Sequence, residues 1–253
     1  MKISTERIRE NNPIVHCITN SVTVNDCANI LLAVGASPIM AHHVKEVAEV
    51  SGNCDALVCN FGAIEDFEAM KIAAKTAVDC GHPVVIDPVG VGGIRYRREK
   101  FFELVHMIRP TCIRGNVSEI RALYEGTQTA KGVDVSREDI SDHEIEDIAK
   151  KLSQRLHCIV VASGAVDLIT DGDMVCRVAE GDAMMTRITG AGCMSSVLIA
   201  AFLCCYDGME AATMACTLMG RCGRVAAEKT ESAHRGTMSF RLQLIDEISC
   251  FDL

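Results

Sequence analysis

The 253-residue chain contains no tryptophan, and aromatic residues make up only 4% of it. It is also poor in positive charge, because 25 lysines and arginines stand against 34 aspartates and glutamates, for a formal net charge of −9. Nucleic-acid-binding surfaces need basic side chains for the phosphates and often aromatic rings for the bases. These two shortages argue against nucleic acid as a partner.

Long apolar runs and closely spaced cysteine pairs are missing as well. The longest apolar run, residues 197–205, is too short to cross a bilayer, and residues 1–12 are polar and charged, unlike a signal peptide. None of the 14 cysteines forms a C-x-x-C pair, and several lie within apolar runs such as residues 57–59. Free buried thiols are typical of a reducing compartment. We therefore expect no membrane association and a cytoplasmic location.

Short apolar segments alternate with amphipathic ones along the chain. Strands are predicted at residues 14–18, 37–40, 56–59, 83–86, 111–114 and 158–162, with an antiparallel hairpin at 166–178. Helices are predicted at residues 4–10, 24–34, 44–51, 65–79, 99–108, 116–124, 139–156, 192–205, 209–228 and 239–248, and a surface loop at 125–137.

The strand segments are apolar at consecutive positions, as expected of parallel strands that helices cover on both faces. No internal repeat or linker interrupts the pattern. We therefore expect one α/β domain over residues 1–253, a three-layer sandwich with a mostly parallel central sheet and helices on both faces.

A glycine-rich turn at residues 189–193, TGAGC, leads directly into the apolar run. Glycines let a backbone approach a ligand closely, and the first N–H groups of a helix favour an anion, so Gly190, Ala191 and Gly192 could receive a phosphate. An ordinary loop-to-helix junction is the alternative. Cys193 is the reactive side chain of this turn, at a position where a helix N-terminus would favour its thiolate. The chain has no G-x-x-x-x-G-K-[ST] motif and is therefore not a P-loop protein.

Polar residues follow several predicted strands, where ligands bind in open parallel sheets. They are Asn20, Asp87, Arg114, Asn116, Glu119, Ser163 and Gly164. Structural explanations compete at each position, because Asp87 could be a turn residue, Asn116 and Glu119 could form a helix capping box, and Ser163 could belong to a tight turn.

As a set, these residues suit phosphoryl transfer. Asp87 and Glu119 offer the carboxylates that Mg²⁺ prefers, directly or through water. Arg114 could neutralise the charge of a transferring phosphate, and the amides of the glycine turn could receive the developing anion.

Five blocks of sequence occur in a characteristic order along the chain. They are ITNSVT at 18–23, GASPIM at 35–40, IDPVGVG at 86–92, RGNVSEI at 114–120 and ITGAGC at 188–193. Together they resemble the hydroxyethylthiazole kinases of the ribokinase-like superfamily. The resemblance implies a ribokinase-like fold and transfer of the ATP γ-phosphate, with Mg²⁺, to the hydroxyl of 4-methyl-5-(2-hydroxyethyl)thiazole in thiamine salvage.

The same resemblance implies roles for individual residues. By its motifs, Met40, Asn20, Val22 and Gly190 would contact the thiazole; Arg114, Ser163 and Asn116 would contact ATP; and Asp87 and Glu119 would organise Mg²⁺ and phosphate. Proteins similar to this chain form trimers with the thiazole pocket between subunits, so a homotrimer is expected.

Cys193 stands where sugar and pyrimidine kinases of the wider superfamily have an aspartate as base, and the thiazole kinases resemble this chain in having cysteine. A thiol has an ordinary pKa of about 8.5, so strong base catalysis by Cys193 is not expected unless that pKa is lowered. Two other interpretations remain open: another ribokinase-like kinase of the hydroxymethylpyrimidine type, and a nucleotide-binding trimer without catalysis. Cys193 and the block at 37–40 argue against the first of these, and the presence of Asp87, Glu119 and Arg114 argues against the second.

Overall fold

The computed structural model describes residues 3–128 and 141–252, and within them eight strands form one sheet. The strand order is β2-β1-β3-β4-β5-β6-β7-β8, and the first six strands in this order run parallel. β7 and β8 are antiparallel additions at one edge, as the predicted hairpin requires. The mostly parallel sheet predicted from the sequence is confirmed.

The bounds of the elements agree closely with the sequence pattern. The strands are β1 Ile14–Ile18, β2 Ser37–Ile39, β3 Ala56–Asn60, β4 Val84–Asp87, β5 Cys112–Asn116, β6 Ile159–Ser163, β7 Asp167–Thr170 and β8 Val175–Val178. The α-helices are α1 Glu6–Asn11, α2 Val24–Val34, α3 Val47–Gly52, α4 Phe67–Asp79, α5 Arg95–Met107, α6 Val117–Gln128, α7 Asp142–Leu156, α8 Ala191–Leu203, α9 Gly208–Ser232 and α10 Thr237–Ser249. Two 3₁₀ helices, Phe61–Asp66 and Ala183–Arg187, complete the described elements.

Two hydrophobic cores lie on opposite faces of the sheet. Alternate residues of β3 divide between them, since Val58 packs in the first core and Leu57 in the second. Apolar residues of α1, α2, α8, α9 and α10 build the first core, and those of α3 to α7 build the second. The protein is therefore a three-layer sandwich, as expected.

Helix α8 is the most deeply buried helix element of the first core. Every residue from 193 to 202 is buried, so the apolar run predicted as a helix is an internal one that follows the glycine turn directly. Across the described parts of the chain, no helix combines the length and apolar character that crossing a bilayer would demand.

Several predicted helix boundaries were wrong, since α3 begins at Val47 instead of residue 44 and α9 ends at Ser232 instead of residue 228. α5 begins at Arg95 instead of residue 99, because Arg97 and Arg98 hydrogen-bond back to the Val89 and Val91 carbonyl oxygens, which a hydrophobic period does not reveal. α6 continues through Gln128 into the stretch predicted as a loop at 125–137. Glycine is unfavourable inside a helix, but Gly126 is needed at this position because any side chain would collide with the Phe102 ring. The rest of that predicted loop lies outside the described residues.

Candidate active site at the carboxyl edge of the sheet

The predicted polar residues meet at the carboxyl edge of the parallel strands. In the sheet register, Asn60 at the end of β3 pairs with Asp87 at the end of β4, and Asn116 pairs with Ser163 at the ends of β5 and β6. Asn20 follows β1 by two residues. Because neighbouring parallel strands end at the same edge, residues far apart in sequence are brought side by side.

Cys193 lies in the first turn of α8 and faces this edge. Two amide groups point at its sulfur: Asn60 Nδ2 lies 3.2 Å from Sγ and Asn20 Nδ2 lies 3.7 Å from it. Only 9% of Cys193 is exposed. Burial, and next the charge of Asp87, raise the pKa of the Cys193 thiol above its ordinary value. Burial therefore opposes the thiolate that the helix N-terminus was expected to favour, and a thiol whose pKa is raised stays protonated at neutral pH.

Asp87 is a buried carboxylate within a small hydrogen-bond network. Its Oδ2 accepts hydrogen bonds from Asn60 Nδ2 at 3.0 Å and from Ser196 Oγ at 2.9 Å. Burial raises the pKa of Asp87 to about 6; the Arg114 charge opposes this rise and the Glu119 charge adds to it. Asp87 thus loses its proton close to neutral pH.

Glu119 completes the capping box that the sequence left as an alternative. Asn116 Oδ1 accepts from the Glu119 N–H at 2.9 Å, and Glu119 Oε2 accepts from the Asn116 N–H at 2.8 Å. The other oxygen, Oε1, accepts from the Gly90 N–H at 2.9 Å, which ties α6 to the loop after β4. Glu119 is therefore held rigidly near Asp87, and its capping role is compatible with a second role toward a ligand.

Arg114 extends from β5 toward the glycine turn. Its Nη2 donates to Ser163 Oγ at 2.7 Å, while its Nε is buried and has no hydrogen-bond partner among the described residues. A Cβ built on Gly192 would collide with the guanidinium, lying only 3.2 Å from its Cζ. A buried, unpaired N–H of a cation is costly unless a ligand completes it, and phosphate oxygens suit a guanidinium well.

A cavity of about 710 Å³ opens over this arginine. Seven of the predicted residues line it: Arg114, Asn116, Ser163, Gly164, Gly190, Ala191 and Gly192. Its volume is that of a site for a nucleotide-sized molecule. The structure thus brings the predicted ATP-side residues and the glycine turn to one cavity.

Of the residues predicted for the alcohol substrate, Gly190 lies at the start of α8, and the other three lie in the segments after β1 and β2. Asn20 is hydrogen-bonded to Cys193 Sγ. Val22 is 69% exposed in the single chain. Met40 is half-buried and packs against the first core. The next carbonyl oxygen, that of Ala41, lies 2.8 Å from Nε2 of buried His16, so Nε2 carries the proton and holds this segment against β1.

The residues Asn60, Ser196 and His16 were missed by the sequence analysis. Asn60 directly follows a predicted strand, which is the signal that singled out Asp87, so its position could have been flagged. Ser196 and His16 lie inside apolar segments, where only the packed structure shows their partners.

The carboxylates also allow a test of whether Mg²⁺ would fit. Among residues 3–128 and 141–252, no group of three or more His, Cys, Asp or Glu side chains is arranged to hold a metal by itself. Asp87 and Glu119 supply two carboxylates, and the negative charge of Glu119 acts on Asp87. This set fits Mg²⁺, which usually keeps several waters and binds proteins through one or two carboxylates plus substrate phosphates.

Comparison with known proteins gives a consistent result. The model of the hydroxyethylthiazole kinase family matches residues 5–252. Hydroxyethylthiazole kinase 1 of Methanosphaera stadtmanae is 41% identical, with 96% of this chain and 90% of that protein covered. Hydroxyethylthiazole kinase of Haemophilus influenzae is 40% identical, covering 98% of this chain and 92% of that protein.

Solved structures agree in fold. The hydroxyethylthiazole kinase protein of Pyrococcus horikoshii superimposes with a TM-score of 0.86 at 32% identity, covering 98% of this chain and 92% of that one. A ribokinase-like superfamily protein of Enterococcus faecalis, at 12% identity and a TM-score of 0.65, covers 98% of this chain and 95% of that one and shows the shared fold alone. With its ribokinase-like fold and a family match over nearly its whole length, the chain belongs to the hydroxyethylthiazole kinase family.

Proposed function

We propose that the protein transfers the γ-phosphoryl group of ATP to the primary alcohol of 4-methyl-5-(2-hydroxyethyl)thiazole, giving the thiazole phosphate used in thiamine salvage. The observation that carries this proposal is the junction at Gly190–Cys193. On one side of the turn lies the cavity with Arg114, and on the other Cys193 is joined to Asn20. A phosphate donor and an alcohol could meet across this junction.

On the nucleotide side, each residue has a defined task. Arg114, oriented by Ser163, pairs with phosphate oxygens through its guanidinium, of which the buried Nε–H is unpaired, and Asn116 borders the same cavity. The N–H groups of Ala191 and Gly192 open helix α8 and can receive the charge that develops on the transferring group.

Asp87 and Glu119 would hold Mg²⁺, which supplies neutralisation of phosphate charge when it is bound. The ionised carboxylate of Asp87 is the form that binds a cation, and Asn60 and Ser196 keep it in one orientation. Cys193 borders the place of the acceptor hydroxyl and acts mainly by position, because its thiol is protonated at neutral pH.

On the alcohol side, Met40, Asn20, Val22 and Gly190 contact the thiazole. We expect a second subunit to complete this pocket in a homotrimer and to cover the Val22 side chain, which is exposed in the single chain. The 14 cysteines are all free, which supports a cytoplasmic location.

The proposal is tested by incubating the purified protein with Mg-ATP and a panel of alcohols, including the thiazole alcohol, a hydroxymethylpyrimidine and a sugar, and following ADP release. Turnover with the thiazole alcohol above the others supports the proposal. Preference for the pyrimidine would assign another ribokinase-like kinase, and nucleotide binding without turnover of any alcohol would assign a non-catalytic binder. Measurement of molecular mass in solution tests the trimer.

A further inference from the structure

Asn60 ends β3 and is 1% exposed, directly between the segment after β1 and the end of β4. Its Oδ1 accepts hydrogen bonds from the Gly62 N–H at 2.8 Å and from Asn20 Nδ2 at 3.2 Å. The Gly62 amide can only donate, so Oδ1 must be the atom that faces it. The orientation of the Asn60 carboxamide is therefore fixed.

The opposite end of this carboxamide faces the reacting groups. Asn60 Nδ2 lies 3.0 Å from Asp87 Oδ2 and 3.2 Å from Cys193 Sγ. A primary amide has two donor hydrogens and two acceptor lone pairs, and Asn60 uses all four. It cannot turn without leaving a buried polar group unpaired, which is costly.

Asn20 has an equally defined orientation. Its Oδ1 accepts from the N–H groups of Val22 at 3.1 Å and of Thr23 at 3.2 Å, so its Nδ2 must face Asn60 and Cys193. The two carboxamides therefore form one rigid connection from the segment that carries Val22 to Asp87, and both also contact Cys193.

We infer that Asn60 is a positioning residue, which fixes the Asp87 carboxylate, the Cys193 side chain and Asn20 relative to one another by one fully used carboxamide. This inference rests on the proposed kinase function. In this role Asn60 acts through Asp87, Cys193 and Asn20, to which it is hydrogen-bonded. Phosphoryl transfer depends chiefly on placing donor and acceptor, and displacement by about 1 Å can cost about a hundredfold in rate.

A purely structural role competes with this inference. The Oδ1 contact to Gly62 makes Asn60 the N-cap of the 3₁₀ helix Phe61–Asp66. Aspartate and serine are also good N-caps, so both can replace asparagine in that role. Neither, however, presents N–H donors toward Asp87 and Cys193, which separates the two roles.

The experiment compares Asn60→Asp and Asn60→Ser with the unchanged protein in steady-state kinetics and thermal unfolding. We expect kcat to fall about 30-fold or more in both variants, with KM for ATP and for the thiazole alcohol within about threefold. Asn53→Asp is the matched control, since Asn53 is exposed and its side-chain amide donates to the Glu49 carbonyl oxygen, away from the site; it should keep full activity.

A double-variant cycle then tests whether Asn60 acts through Cys193. In a Cys193→Ala background, Asn60→Ser should lower kcat by a smaller factor than in the unchanged protein, because one of its targets is already gone. Retained kcat in a folded Asn60→Ser variant, or a rise in KM alone, would overturn the inference. Should the added charge prevent Asn60→Asp from folding, Asn60→Ser decides. An unchanged protein without thiazole kinase activity would instead refute the proposed function.

Discussion

Ser196 Oγ lies 2.9 Å from Asp87 Oδ2 and links the first turns of α8 to the end of β4. Asn60, at the end of β3, donates a second hydrogen bond to the same oxygen of Asp87. The buried carboxylate thus depends on two neutral donors that belong to different elements. Its ionisation, and with it the ability to hold a cation, is set by the packing of α8 against the sheet.

The pH dependence of the reaction should reflect this arrangement. Because burial raises the pKa of Asp87 to about 6, kcat/KM should fall below about pH 6 as the carboxylate gains a proton. The hydrogen bond from Ser196 lowers that pKa, so Ser196→Ala should move the acid limb to higher pH and reduce kcat/KM at pH 6 by about threefold.

A pH profile between 5 and 8 measures this effect. Ser153→Ala is the matched control, since Ser153 is also buried but bonds to the Cys158 carbonyl oxygen before β6, at the other edge of the sheet. An acid limb that is unchanged in Ser196→Ala would contradict the assigned role of the hydroxyl.

Asp87→Asn should remove activity and yet stabilise the fold at neutral pH. The pKa of Asp87 is 3.8 ordinarily and about 6 in the folded protein, so the proton binds more tightly to the folded state. The corresponding contribution to stability is complete below about pH 4 and is lost as the pH rises through about 6. At pH 7.5 the amide should therefore raise the free energy of unfolding by at most about 3 kcal/mol, and at pH 4 by much less.

Urea unfolding at the two pH values measures the difference. Asp79→Asn changes an exposed helix carboxylate that pairs with Lys75 and should leave the free energy of unfolding nearly unchanged at both. If Asp87→Asn raises the free energy of unfolding equally at pH 4 and pH 7.5, the stabilisation does not come from removing a buried negative charge.

Gly192→Ala should weaken the nucleotide side of the site. Its Cβ would collide with the Arg114 guanidinium, and Arg114 would have to leave Ser163 to make room. We expect kcat/KM for ATP to fall about a hundredfold, by loss of a charge-assisted contact of about 3 kcal/mol. Gly236→Ala, at a glycine with nothing within 4 Å of the added carbon, is the control. Unchanged ATP kinetics in Gly192→Ala would place the phosphates elsewhere.

Gly190→Ala should act on the alcohol side. Gly190 has φ +86°, which costs a non-glycine residue about 1 kcal/mol, and its Cβ would lie 2.8 Å from Cγ2 of Thr23. Thr23 adjoins Val22, so we expect KM for the thiazole alcohol to rise more than KM for ATP. Gly81→Ala introduces the same backbone strain at φ +79° without a neighbour and should affect stability only. Equal rises in both KM values would argue against a separate alcohol side.

How far the sequence predicts this site can be judged from individual residues. Asp87 and Arg114 were found because each follows an apolar segment and strands of a parallel sheet end at one edge. The contact of Asn60 with Cys193 could not be found that way, because strand order and the position of α8 depend on packing between distant segments. For the same reason the raised pKa of Cys193 was missed: a local pattern shows the helix N-terminus and not the burial.

Cys193 provides the last prediction. Its thiol is protonated at neutral pH, so its removal in Cys193→Ala should lower kcat only modestly, by about threefold to tenfold. Two amide groups, Asn60 Nδ2 and Asn20 Nδ2, point at the sulfur atom and could donate hydrogen bonds to a carboxylate placed there. Cys193→Asp should therefore retain or raise kcat, since a carboxylate there can accept the proton of the alcohol.

Steady-state kinetics with the thiazole alcohol and Mg-ATP measure both variants. Cys158→Ala is the control, because Cys158 is a buried cysteine that precedes β6 at the edge of the sheet opposite the site. Loss of all activity in both Cys193 variants, with Cys158→Ala unaffected, would mean that the thiol itself performs an essential chemical step. The assignment of Cys193 as a residue that acts by position would then be wrong, and the amide donors would have to be interpreted as stabilising a thiolate during the reaction.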